Sequence, residues 1–280
     1  MATAFEFIQF EVREQVATLT LNNPAARNAF GVAMRGEIAQ AISTVRDDAS
    51  IRALVLTGAG GHFCAGGDIR GMVEASQLDA AGWRQRMRGL HGWVTDLIEL
   101  DRPVIAAVDG SAFGAGFSLA LAADMVVATP RARFCMSFLR IGFVPDCGAL
   151  FTLPRVVGVQ RAREIMLSAR EVGAEEALRL GIAMELVPPE DLQARARALA
   201  ASFVNASPMA VSLIKRALAV PGAGLPELLD IEADAQALAA GTTEHKAAVQ
   251  RFLAKEPTLF HWPVAPAAPA SSATTGGRQP

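Results

Sequence analysis

The run VIAAVDGSAFGAGFSLALAADMVV, from Val104 to Val127, leaves this chain few ways to fold. Its first five residues, Val104–Val108, are all apolar and stop at the turn pair Asp109-Gly110. So short an apolar run between breakers reads as a strand covered on both faces. Ser111–Gly116 then reads as a small-residue loop, Phe117–Ala123 as an apolar helix, and Met125–Ala128 as a second strand. The Gly-Ala-Gly triplet at 114–116 lets main chain come close to a ligand, because little side chain intervenes. It also opens a helix, whose first N–H groups lack intrahelical acceptors and favour negative charge. No Lys-Ser/Thr follows, and no Gly-x-Gly-x-x-Gly occurs, so a nucleotide cradle is not expected. Two accounts remain: N–H donors that hold an oxyanion, or small residues that seat a helix on a sheet. For this stretch alone the second is the plainer.

Ala53–Ile69, ALVLTGAGGHFCAGGDI, repeats the plan. A strand, Ala53–Leu56, runs into Thr57-Gly58, a loop, and a second glycine turn, Ala65-Gly66-Gly67-Asp68. Asp68 is placed to cap a short helix. Two such loops can aim two N–H groups at one ligand atom, which is the geometry of an oxyanion hole.

The rest of the chain fits around these loops. Phe5–Val12 and Val16–Leu21 read as strands joined at Arg13–Gln15. Met34, Ile38, Ile42 and Val45 recur at helical spacing, giving a helix over Gly31–Val45. Trp83, Met87, Leu90, Val94 and Leu97 do the same ahead of Pro103. Pro145-Asp146-Cys147-Gly148 reads as a helix start, with Arg161–Ala169 and Ala174–Leu180 as helices and Gly181 as a C-cap. Ile182–Val187 is the last strand, followed by helices near 190–204, 208–219, 225–240 and 243–254. Strand–strand–helix units followed by helices predict an α/β core at 1–190 and a helical region at 191–262. Residues 263–280, PVAPAAPASSATTGGRQP, are low in complexity and expected to be disordered.

Bulk properties exclude several classes. The chain of 280 residues is 51% hydrophobic, enough to bury a sizeable core. A formal net charge of −2 offers no field for nucleic acid or a membrane surface. Cys64, Cys135 and Cys147 are scattered, with no zinc-like spacing, so no metal site is expected. Unpaired cysteines and the lack of a charged-then-apolar leader fit a cytoplasmic setting.

FCAGGDIR and DRPVIAAVDGSAFGAGFSLALAADM, with LNNPAARNAF and IGFVPDCGALFTLPRVVG, together resemble the crotonase superfamily, or enoyl-CoA hydratase/isomerase family. The resemblance spans residues 5–262. It implies a spiral of repeated ββα units with C-terminal helices that build a homotrimer or a dimer of trimers. It implies an acyl-CoA substrate whose thioester oxygen is held as an enolate by the N–H groups of Gly67 and Ala115, with no cofactor beyond the CoA itself. Family hydratases carry two glutamates at the positions of Ser118 and Phe138, so efficient hydration is not expected here. Asp146 in VPDCG matches the acid of the isomerase branches, including the epoxyphenylacetyl-CoA isomerase branch. Apolar neighbours Phe113, Phe138 and Phe143 are expected to desolvate it. The plainer account is that Asp146 only caps a helix. His91 matches a histidine that works with an aspartate in the dehalogenase branch, which keeps a hydrolase reading open. Arg27 and Arg70 are candidates for the CoA phosphates, Ala65 for the adenine amino group, and Phe252 and Lys255 for a CoA held by a neighbouring subunit. His62, Asp124 and Cys64 read as structural. The leading expectation is an enoyl-CoA isomerase. Hydratase, hydrolase and non-catalytic acyl-CoA- or RNA-binding relatives are the alternatives, and the near-neutral charge disfavours RNA.

Overall fold

The computed structural model describes residues 5–264 except 69, 70, 72, 74, 221 and 223. Most of the expected disordered tail, from 265 onward, therefore lies outside the described residues. Strands β1 (Ile8–Arg13) and β2 (Val16–Leu21) form an antiparallel hairpin. Glu14 and Gln15 make its tight turn, both with positive φ, the backbone that a two-residue hairpin loop needs. Helix α1 (Val32–Asp47) leads to β3 (Ala53–Gly58), and helix α2 (Ala80–Ile98) to β4 (Val104–Val108). β5 (Ser111–Phe113), helix α3 (Ala115–Leu121), β6 (Met125–Ala128) and β7 (Arg133–Cys135) follow. Helices α4 (Ala149–Val157) and α5 (Val159–Ser168), strand β8 (Glu171–Gly173), helix α6 (Ala174–Arg179) and strand β9 (Glu185–Leu186) complete the α/β part.

The main sheet has the order β1-β2-β3-β4-β6-β9, and a smaller one pairs β5-β7-β8. From β2 to β9 every pairing in the main sheet is parallel. β4 is buried at all five positions, as its unbroken apolar run requires. Alternate residues serve two cores. Leu54, Leu56, Val104, Ala106 and Val108 pack with Met34, Ile38 and Ile42 of α1 and with Leu90, Trp93 and Leu97 of α2. Ala53, Val55, Ile105, Ala107 and Val127 face the other way, onto Leu192, Ala196, Leu199 and Ala200. Those four belong to helix α7 (Leu192–Ser202), so the packed core continues past residue 190. Helices α8 (Pro208–Ala219), α9 (Leu225–Ala240) and α10 (Thr243–Leu253) bury none of their residues within the chain.

The last expected strand, Ile182–Val187, shortens to Glu185–Leu186 because only Val127 and Ala128 of β6 pair with it. Phe134–Phe143 divides between β7 and a short 3-10 helix, Ser137–Ile141.

Candidate active site

β3 and β4 are parallel neighbours, so the chain leaves both at the same edge of the sheet. Ligands in such sheets collect beyond the carboxyl ends of the strands. The loop after β3 is pinned by a side chain that the sequence reading passed over. Asn28 is fully buried and takes a left-handed backbone. Its Nδ2 donates to the carbonyls of Ala59 (2.8 Å) and His62 (2.7 Å), while its Oδ1 accepts from the Asn23 amide (2.9 Å). Its polar type amid an exposed turn, LNNPAARNAF, was the available signal.

Two isolated parallel bridges then fix the main chain of both loops. Cys64 donates its N–H to Ser111 O (2.9 Å) and accepts from Phe113 N (2.9 Å). Phe30 donates to Gly66 O (2.9 Å), and its own carbonyl accepts from Asp68 N (3.3 Å). In a trans peptide the carbonyl and the following N–H point in opposite directions. The Gly66 carbonyl faces Phe30, so the Gly67 N–H faces away from it. The loops touch there: a Cβ on Gly66 would stand 2.8 Å from Phe113 O and 3.6 Å from Ala115 N. Only glycine tolerates that approach and the φ of +103°.

α3 begins two residues earlier than the sequence pattern indicated, at Ala115 rather than Phe117. Gly114, with φ +52°, is its N-cap and accepts from Phe117 N and Ser118 N. The same peptide argument turns the Ala115 N–H out of the helix start. Among the described residues neither Gly67 N nor Ala115 N donates to a protein acceptor. Two unbound amides therefore leave adjoining main chain beside one edge of the sheet.

Asp146 is not a cap. The sequence pattern placed a helix start at Pro145, yet α4 begins at Ala149 with Gly148 as N-cap and no side-chain capping bond. Cys147 and Gly148 both take positive φ, +51° and +80°, which cannot continue a helix. The Asp146 Oδ1 is buried without a hydrogen-bond partner. Burial holds its carboxyl above the ordinary value, while the Cys147 thiol, the Arg35 guanidinium and His91 oppose that rise. His91 itself lies exposed on α2.

The other candidates separate. The Arg27 carbonyl accepts from Ala65 N (2.8 Å), so these two lie together beside the first loop, with the Arg27 side chain exposed. Phe138 is buried, its ring edge about 4.0 Å from where a Gly114 Cβ would be. Phe143 stacks edge-on against Trp83 of α2 (5.6 Å) and is 38% exposed. The Phe113 ring lies 5.7 Å from the Arg133 guanidinium, because β5 pairs with β7 and shares that face. Phe252 is exposed on α10, and Lys255 sits in a left-handed turn beyond it. Phe252 lines a cavity of about 770 Å³ with Phe203 and Phe260, among residues of α8–α10, apart from both loops. Arg70 lies outside the described residues. His62 is half-buried and accepts from Ser111 N (3.3 Å); Asp124 accepts from Val104 N and Lys215 Nζ; Cys64 is buried. Ser118, fully buried, returns its hydroxyl to Gly114 O. Among the described residues no cluster of three or more metal-ligating side chains occurs.

The enoyl-CoA hydratase/isomerase family profile matches residues 11–262. The chain belongs to this family. A probable enoyl-CoA hydratase of Rhodobacter capsulatus is 39% identical over 92% of this enoyl-CoA hydratase/isomerase chain and 98% of its own length. The 1,2-epoxyphenylacetyl-CoA isomerase of Escherichia coli is 38% identical, with 91% and 98% covered. A carnitinyl-CoA dehydratase of Proteus mirabilis is 37% identical over 74% of this chain and 78% of the relative. Among solved structures, an enoyl-CoA hydratase/isomerase of Cupriavidus metallidurans superposes with a TM-score of 0.90 at 44% identity, covering 94% of this chain and all of that one. The α/β architecture expected of the family is thus the one observed, and the protein is an enzyme of the acyl-CoA class. No single described helix is long and apolar enough to cross a membrane.

Proposed function

We propose that this family member is an enoyl-CoA isomerase that moves a double bond from the 3- to the 2-position, or performs the related ring isomerisation. The buried, unpartnered Oδ1 of Asp146 carries the reading. Leaving such an atom without a partner is costly, so it needs a reason beyond packing. In the proposed cycle the Gly67 and Ala115 amides hold the thioester oxygen. Asp146 takes a proton from C2, and the electron pair spreads over the enolate oxygen and C4. The same carboxyl then returns the proton to C4, leaving the double bond between C2 and C3. One acid–base group suffices, because the proton that leaves also comes back. Water addition needs a second group to activate the water, and Ser118 and Phe138 supply no carboxylate. Each amide lost would cost about 3 kcal/mol of transition-state stabilisation. The step requires no cofactor besides the CoA of the substrate. Arg27 and Ala65 are assigned to the CoA phosphates and adenine.

One observation favours a second reading. His91 is close enough to act electrostatically on Asp146, as a hydrolase using Asp146 as nucleophile and His91 to activate water would require. A single assay set separates the two: a short 3-enoyl-CoA, crotonyl-CoA, and a halobenzoyl-CoA. Conversion of the 3-enoyl to the 2-enoyl thioester, lost in Asp146→Asn, is the expected result. Halide release would select the hydrolase, and 3-hydroxyacyl-CoA would restore the hydratase.

A further inference from the structure

The Asp146 carboxyl faces charged or titratable groups from two helices and its own turn: Arg35 on α1, His91 on α2, and Cys147 beside it. Arg35 is the one the motifs did not point to. Its guanidinium carbon stands 5.4 Å over the Phe30 ring, and its Nε is buried with no acceptor. Phe30 is a rigid support. It is fully buried, bonded through its N–H to Gly66 O, and edge-on to Trp93 at 6.2 Å. Around the guanidinium lie Arg86 of α2, Cys147, Asp146, and Asp68 at the end of the first loop. Yet no Arg35–Asp146 ion pair within 4.0 Å is formed among the described residues.

That combination is unusual for a half-buried cation and a half-buried acid whose Nε and Oδ1 are themselves buried. Close pairing would satisfy both groups at once. Here the cation rests on an aromatic face and the acid keeps Oδ1 empty. A direct pair would also occupy the oxygen that a base must offer to a carbon-bound proton. A charge set slightly back stabilises the carboxylate by the same Coulomb attraction while leaving the acceptor unoccupied.

We propose that Arg35 is a positioning residue for Asp146: held on Phe30, its charge keeps the carboxylate ionised against burial while its setback leaves Oδ1 open to the substrate proton. This rests on the isomerase reading, in which Asp146 is the base. Arg86, itself seated over the Trp83 ring at 5.8 Å, acts on Arg35 as a like charge.

The test is a carboxyl ¹³C NMR titration of the full chain labelled at aspartate, with the Asp146 signal identified by its loss in Asp146→Asn. In Arg35→Met the Asp146 midpoint is expected to rise by about one pH unit or more, the usual effect of removing a nearby opposite charge. Arg35→Lys should return it most of the way. Arg35→Gln serves if the Met variant does not fold, and the series is repeated with His91→Gln to remove the imidazole. The acid limb of kcat/KM should move with the midpoint, which a purely structural role would not produce. An unmoved midpoint in a folded Arg35 variant, with Asp146→Asn inactive, overturns the role of Arg35 and spares the isomerase reading. If Asp146→Asn still turns over a 3-enoyl-CoA, that reading falls and this proposal with it.

Discussion

Asp146 is held in place against a burial penalty, and that penalty has a pH dependence. Its folded carboxyl binds a proton more tightly than the ordinary Asp value of 3.8. Below 3.8 both folded and unfolded chains are protonated here and the group costs nothing. As pH rises through the folded value the cost appears, because the unfolded carboxyl ionises first. Asp146→Asn is therefore expected to raise Tm at pH 7, by about 2–4 °C for each kcal/mol relieved, and to gain little at pH 3. Calorimetry at the two pH values, alongside loss of turnover, checks this. The buried thiols give a second residue-scale prediction. Burial pushes Cys64 up to about 12 and Cys147 higher still, so both stay protonated thiols at neutral pH. A thiol reagent should modify neither in the native protein and all three cysteines in denaturant. At this scale Asp146, Gly67 and Ala115 were reached through the family resemblance of the motifs that hold them. The sequence was silent on Arg35 and Asn28, because an arginine on an amphipathic helix and an asparagine in a turn look like surface residues until the packing is known.

The elements that matter most are the two loops, joined by glycines rather than by side chains. A Cβ on Gly116 would overlap the Cys64 carbonyl oxygen, so Gly116→Ala must push α3 off the first loop. Overpacking of this kind costs about 1–3 kcal/mol, and a displacement near 1 Å at reacting groups can cost about 100-fold in rate. A modest fall in Tm with a much larger fall in kcat is the expected signature. Asn28→Ala should act through stability instead, losing about 3 kcal/mol by urea titration, since two carbonyls and one amide lose their partner. Periodicity located α1 and α2 to within three residues, because each buries one stripe. It failed where backbone conformation decides. Nothing in PDCG states that Cys147 and Gly148 adopt positive φ and delay α4 to Ala149. Nor does the pattern show that Gly114 starts α3 early. The Arg133 contact of Phe113 was out of reach for a different reason: the β5–β7 pairing that brings the two together is non-local.

Over the whole molecule, the sheet is covered on one side by α1 and α2 and on the other by α7, while α8–α10 bury no residue of their own. Ile214, Leu218, Leu229 and Phe252 stand 60%, 78%, 51% and 78% exposed, more apolar surface than a lone chain keeps without use. We propose that these helices meet other copies, as the family resemblance implies. Sedimentation should give a mass of three chains or a multiple, and Ile214→Glu with Leu218→Glu should yield a smaller species. The C-terminal segment packs Phe260 and Trp262 against Phe203 and is also held by an arginine. Buried Arg195 pairs with Glu185 and donates to the carbonyls of Pro263 and Val264. The amides of Gly67 and Ala115 belong to the polypeptide itself, so replacing a side chain cannot delete them. With the oxygen held by such a pair, as proposed, the side chains at 118 and 138 can differ, Ser and Phe here, without moving it. Descent is then recorded in the loops and chemistry in a few side chains, and relatives this similar can bear different reaction names.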